Sequence, residues 1–206
     1  MQGVEALRGG ATDRAIGLFE RVLAATPAHF PALNMLAQAR FKRGEMDQAE
    51  QLLRRAIALA PREADAHYNL AQVLRHRGRR EDEIAAYRQA LHLNPRHVNA
   101  WANLAGALLE LGQVGQAFEA TERGVKVEPR HPMLQHNRGM ALKQLGRFDE
   151  AVAALRAATE LAEVRQRAEQ GGVILRPLTV AEMDRLAREE IVTLGRTIRD
   201  NNITLD

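Results

Sequence analysis

Residues 64–97 read ADAHYNLAQVLRHRGRREDEIAAYRQALHLNPRH, and their pattern decides the fold. Ala66, Leu70, Ala71 and Leu74 fall at helical spacing and form one apolar stripe. Gly78 follows, where a residue in the left-handed conformation closes a helix at little cost. Ile84, Tyr87, Ala90, Leu91 and Leu93 form a second stripe, and Pro95 then stops that helix and sets the next turn. The segment is a helix, a tight turn, a second helix and a second turn.

The same punctuation runs outward in both directions. Pro27, Pro61, Pro95 and Pro129 are 34 residues apart, and so are Gly10, Gly44, Gly78, Gly112 and Gly146, offset from the prolines by 17. Two markers of one period predict a stacked array of helix–turn–helix units. Small residues recur where paired helices must approach closely. They are Ala37, Ala71, Ala105 and Gly139 in the first helix of each unit, and Ala15, Ala49, Ala117 and Ala151 in the second.

On these residues the chain resembles the tetratricopeptide repeat (TPR) family. Its pattern is a large residue at position 4, Leu at 7, Gly or Ala at 8, a large apolar residue at 11, Ala at 20, an aromatic at 24, Ala at 27 and Pro at 32. The unit from Val98 supplies Trp101, Leu104, Ala105, Leu108, Ala117, Gly124 and Pro129; the unit from Phe30 supplies Leu33, Leu36, Ala37, Ala49, Leu53, Ala56 and Pro61. The first unit keeps Gly3, Ala15, Phe19 and Pro27. The resemblance implies an all-α fold, a right-handed superhelical α-solenoid of antiparallel helix pairs. It covers residues 1–162, as a partial repeat (1–29) and repeats 30–63, 64–97, 98–131 and 132–162. Four positions depart from the pattern: Glu83 replaces Ala at position 20, Thr121 stands at position 24, Arg138 at position 7, and Glu163 where the last proline is due. Without that proline the last helix is expected to run on through Arg167. The first unit enters at about position 6, so its first helix should be short, either as a frayed native start or as the edge of a longer array.

Residues 163–206 leave the repeat. Gly171-Gly172 should break the extended helix, and Val173, Ile174 and Leu175 form a short apolar run before Arg176 and Pro177. Thr179 with Glu182 matches a capping box, so a helix is expected over about 180–199, ending at Asn201-Asn202. Val180, Met183, Ala187, Ile191, Leu194 and Ile198 share its apolar face. This face is either a terminal cap, as solenoids require, or a homodimerisation helix or the entry to a second domain.

Composition narrows the chemistry. The 206 residues are 46% hydrophobic, 27% charged and 4% aromatic, with no cysteine and no serine. Cys and Ser nucleophiles, disulfides and Cys-ligated metals are therefore excluded, while Thr, Lys or carboxylate nucleophiles are not. No run of about 18 apolar residues exists to span a membrane. The start, MQGVEALRGG, has no signal-peptide pattern, so a cytoplasmic protein is expected. The net charge is +3, and only Lys42, Lys126 and Lys143 are lysines. A small excess carried by Arg is no nucleic-acid footprint by itself. The seven histidines, His29, His67, His76, His92, His97, His131 and His136, show no metal-binding i, i+4 spacing. His29, His97 and His131 fall in the inter-repeat turns. No Gly-rich phosphate loop or paired-carboxylate set stands out. No catalytic residue, metal or cofactor is expected.

In TPR proteins the first helices line a concave groove, and this resemblance picks out groove positions 2, 5, 6, 9, 12 and 13. The candidate peptide-binding residues are Asn34 and Gln38; Tyr68, Asn69, Gln72 and Arg75; Asn103; and His136, Asn137, Met140 and Lys143. Asn69, Asn103 and Asn137 are 34 apart. A column of amides can donate to and accept from an extended backbone, as in the asparagine ladder of O-GlcNAc-transferase-type arrays, although Asn is also common at this position in the family. The Lys and Arg of a carboxylate clamp are not at matching positions. The run Arg75-His76-Arg77-Gly78-Arg79-Arg80 reads as a solvated turn or as a contact for an acidic partner led by Arg75. The expected function is a non-catalytic adaptor that holds an extended peptide or a helix. The alternative is the substrate-recruiting part of a larger enzyme, such as a bacterial glycosyltransferase or sulfotransferase.

Overall fold

Each interval between a periodic glycine and a periodic proline becomes a helix. The computed structural model describes residues 2–170, 185, 188–194 and 196. Its helices pair as α1 (Gln2–Arg8) with α2 (Thr12–Ala25), α3 (Phe30–Lys42) with α4 (Met46–Leu59), and α5 (Ala64–His76) with α6 (Arg80–Leu93). Then follow α7 (Val98–Glu110) with α8 (Val114–Val127), and α9 (Pro132–Gln144) with α10 (Phe148–Gln170). Residues 188–194 are also helical, and no strand occurs among the described residues. None of the described helices is long and apolar enough to cross a membrane.

The turns explain the two rulers. All five periodic glycines are left-handed, with φ between 69° and 82°. After α5, Gly78 N–H donates to the Arg75 carbonyl (3.0 Å) and Arg79 N–H to the Leu74 carbonyl (3.0 Å), and the same pair of bonds closes α3, α7 and α9. This satisfies the last carbonyls of the helix, and only glycine takes the required φ without strain. At the other turn Thr26, Ala60, Asn94 and Glu128 each stand before proline with φ from −135° to −139°, as the proline ring demands. Histidine starts the next helix in three repeats. Nδ1 of His29, His97 and His131 accepts the N–H of Ala32, Ala100 and Leu134 at 3.1, 3.3 and 3.3 Å. These turn histidines are helix caps.

The small residues are fully buried at the expected seams: Ala15, Ala37, Ala49, Ala71, Ala105, Ala117 and Ala151. The departures from the repeat pattern find local partners. Glu83 is buried at position 20, and its carboxylate accepts from Arg80 at 2.8 Å. Thr121 is buried at position 24 and donates its hydroxyl to the Phe118 carbonyl (2.7 Å). Arg138 donates to Glu122 (2.6 Å). With no proline to stop it, α10 runs to Gln170, three residues past the expected Arg167.

The chain divides into two compact units, residues 1–100 and 101–206. In the first, Leu7, Ala15, Ile16, Phe19, Ala32, Leu36 and Ala39 form a core cluster, and α3–α6 bury Leu33, Leu53, Leu70, Leu74, Ile84 and Tyr87. In the second, Leu142, Ala151, Ala154, Leu155 and Leu194 cluster, with Phe118, Phe148, Val152 and Ile191 against them. Leu194 belongs to the face expected to cap or to dimerise; over the described residues that face packs on its own chain. The Gly171-Gly172 break, the run from Val173 to Leu175, the Thr179–Glu182 capping box and the end at Asn201-Asn202 lie outside the described residues.

Candidate functional site

In the first unit, Gln38, Asn69 and Gln72 of the first helices gather around one pocket. There α3 and α5 are neighbours, being the first helices of successive repeats. Between them opens a pocket of about 180 Å³, counting the solvent at its mouth, lined by Ala37, Gln38, Phe41, Leu53, Asn69, Gln72 and Val73. Its floor is apolar and its rim carries three amides. Asn69 donates an N–H to Asn34 Oδ1 (2.9 Å), which ties α5 to α3, and Asn34 is only 6% exposed. Gln72 donates to the Tyr68 hydroxyl (2.9 Å). Gln38 is half-buried, and its amide makes no hydrogen bond among the described residues.

Aromatic rings stiffen this surface. His76 meets Phe41 edge-on, with centroids 4.9 Å apart at 81°. Tyr68 lies 4.4 Å from the His97 ring and 5.8 Å from Tyr87. Burial pushes the His97 pKa below its ordinary value, against the opposing charge of Asp65, whose Oδ1 is 3.6 Å from Nε2. The basic run beyond α5 is largely engaged within the chain. Arg77 pairs with Asp47 and Glu50, Arg79 with Glu50 and Asp82, and Arg80 with Glu83. Those three arginines hold carboxylates of the first unit, so the exposed turn is laced by ion pairs. Arg75 is exposed in the last turn of α5.

In the second unit Asn137, 9% exposed, donates to the Ala102 carbonyl at 2.9 Å, and Gly106 lies beside its Nδ2. So Asn69 and Asn137 each spend one amide N–H on the preceding repeat. Asn103 lies on α7, and His136, Met140 and Lys143 on α9. Lys143 Nζ pairs with the Glu190 carboxylate. Burial holds the His136 pKa below its ordinary value, the Glu190 charge working the other way. His136 Nδ1 is buried with no hydrogen-bond partner among the described residues. No group of three or more His, Asp or Glu able to hold a metal occurs among the described residues.

Family models described as tetratricopeptide repeat match residues 34–95, residues 6–58 and 84–137, and residues 134–164. The chain belongs to the tetratricopeptide repeat family. Two crystal structures of MamA superpose on this TPR chain. One does so with TM-score 0.71 at 25% identity over 80% of this chain and 96% of that one. The other gives 0.68 at 26% identity over 85% and 94%. YrrB, a TPR protein with an unusual peptide-binding site, superposes with TM-score 0.64 at 16% identity over 77% and 82%. No curated protein sequence matches the chain. As a TPR protein the chain is a protein–protein interaction module.

Repeat positions alone miss two features of the TPR surface. Phe41 occupies a groove position, but its place in the pocket depends on Leu53, at a packing position, and on Val73, at a position the repeat pattern leaves open. Glu190 lies outside the repeats, so nothing in the 34-residue period pairs it with Lys143.

Proposed function

We propose that this TPR chain is a non-catalytic adaptor that holds an extended peptide along α3 and α5, with one aliphatic side chain in the pocket between them. The observation that carries this reading is the pocket itself, an apolar floor of Ala37, Phe41, Leu53 and Val73 under the amides of Gln38, Asn69 and Gln72. An extended strand presents a side chain on one face at every second residue and backbone groups between. An amide offers both a donor and an acceptor, so Gln38 and Gln72 can meet a peptide unit on either side of the buried side chain. Arg75, Asn103, His136, Asn137, Met140 and Lys143 remain candidates for further contacts. The same fold carries a peptide-binding site in YrrB. A chain without cysteine needs no oxidising compartment, which supports a cytoplasmic setting.

Because Asn69 and Asn137 also tie repeats together, replacing them confounds binding with stability. The cleaner variant is Gln38→Ala with Gln72→Ala. Peptides selected from a random display library on the immobilised wild-type chain should bind the double variant about tenfold or more weakly, the loss expected of two hydrogen bonds. Its melting temperature should fall only slightly, since the one internal bond lost, from Gln72 to the Tyr68 hydroxyl, lies within α5. Selected peptides that bind both chains equally would remove the pocket from the binding surface.

A further inference from the structure

We infer that the groove of the first unit selects an acidic peptide, seating an aliphatic side chain between α3 and α5 and a neighbouring Asp or Glu against Lys42. This deepens the reading of the α3–α5 pocket and rests on it. The pocket takes the aliphatic side chain, and a basic column beside it supplies the charge. Arg8, Lys42 and His76 are 34 residues apart, at position 13 of three successive repeats. They are the last residues of α1, α3 and α5, and all three are exposed. The same step then reaches Glu110 and Gln144, so the basic column belongs to the first unit alone. Position 13 lies one helical turn beyond position 9, where Gln38 and Gln72 line the pocket. Lys42 therefore follows Gln38, and His76 follows Gln72, on the same helix face. Phe41 stands between the two: it lines the pocket, and its ring meets that of His76.

Lys42 differs from its neighbours in what it holds. Three cations, Arg40, Lys42 and Arg43, crowd the end of α3. Arg40 pairs with Glu20 and Glu45, and Arg43 with Asp13 and Glu45. Lys42 meets no carboxylate among the described residues; its ammonium donates to the Leu7 carbonyl at 3.3 Å, which joins the end of α3 to that of α1. An ammonium has three N–H donors, so two remain for a ligand. Of residues 1–100 at the groove positions, Asp65 alone is acidic. It stands in the first turn of α5, at the far end from His76, and its carboxylate lies beside His97. The groove is thus positive at its glycine-turn end, where an anionic ligand group meets no competing carboxylate on the Gln38 face. One helical turn rises about 5.4 Å, and an extended chain advances about 3.3 Å per residue. A carboxylate on Lys42 therefore belongs within two residues of the side chain in the pocket.

The probe is a random peptide display library selected on the immobilised full chain. On wild type the recovered peptides should share an aliphatic residue with Asp or Glu one or two positions away. On Lys42→Glu the same aliphatic residue should return with Lys or Arg in that place. A fluorescein-labelled copy of a wild-type peptide, read by fluorescence anisotropy, should bind Lys42→Glu about tenfold more weakly, the loss expected of one charge-assisted hydrogen bond, and Lys42→Gln less so. The difference should shrink in high salt. Lys42→Gln carries the test if Lys42→Glu fails to fold. Aliphatic peptides with no acidic preference, or an acidic preference that the Lys42 variants leave unchanged, would overturn the inference and leave the pocket standing. Peptides that bind the Gln38→Ala, Gln72→Ala variant as well as wild type would remove the pocket, and recovery of no peptide would overturn both readings.

Discussion

A methyl group added at Gly139 would lie 2.6 Å from Cγ of Leu155 and 3.3 Å from the Ala151 carbonyl oxygen. Cγ is the branch point of a fully buried side chain, so a rotamer change does not clear the clash. Overpacking of this kind costs about 1–3 kcal/mol, and the better helix propensity of alanine returns up to about 1 kcal/mol. Gly139→Ala should therefore lower stability by about 1–2 kcal/mol in urea unfolding. An unchanged midpoint would show that the seam between α9 and α10 can open. His97 gives a second prediction at this scale. It caps α7 through Nδ1, lies on the Tyr68 ring, and has its pKa depressed by burial more than Asp65 restores it. A depressed histidine contributes stability that is whole above its unfolded value, about 6.5, and is lost as pH falls through the folded value. Protonated Nδ1 also ceases to accept the Ala100 N–H. The unfolding midpoint should drop between about pH 7.5 and pH 5.5, and less in His97→Asn, which keeps a capping acceptor. Parallel profiles would refute the assignment.

Between elements, the seam from α4 to the turn after α5 is ionic. Glu50 is buried and accepts from Arg54 at 2.7 Å and Arg79 at 2.9 Å, with Arg77 at 3.3 Å. Burial opposes its charge, but the Arg54 hydrogen bonds and the charges of Arg54, Arg79 and Arg77 prevail and hold its pKa down. Glu50→Gln keeps the shape and removes the charge. It should lower stability by about 1–2 kcal/mol in low salt, and by less in high salt, where exposed guanidiniums are already screened. A salt-independent loss would mean that packing, not charge, holds the turn. This seam marks a limit of what the sequence discloses. The 34-residue step of proline and glycine marks the turns between helices, because φ-restricted residues act locally. The run from Arg75 to Arg80 was ambiguous because two of its partners, Asp47 and Glu50, stand about 30 residues earlier and pair with it only after stacking. The histidine caps were equally hidden, since histidine is not among the usual N-cap residues. The groove positions were legible as positions, but not the use of Asn69 and Asn137 as ties, because one amide serves a ligand and a neighbouring repeat equally well.

Across the whole molecule, the chain resolves into two compact units, residues 1–100 and 101–206, and within each unit contacts run from a helix to its neighbours. Stability in such an array is a sum of repeat and interface terms rather than one all-or-none quantity. The chromophores are partitioned along the same line. Tyr68 and Tyr87, the two tyrosines, lie in the first unit, and Trp101, the sole tryptophan, lies in the second with the Arg123 guanidinium 5.7 Å above its ring. Trp101 is nearly enclosed, at 9% exposure. The protein thus carries its own two-colour label. Indole emission, excited selectively, follows only the half that holds Lys143 and Glu190, while ellipticity follows both halves. Gly139→Ala should shift the indole transition to lower temperature and split it from the ellipticity trace, and Glu50→Gln should leave the indole transition in place.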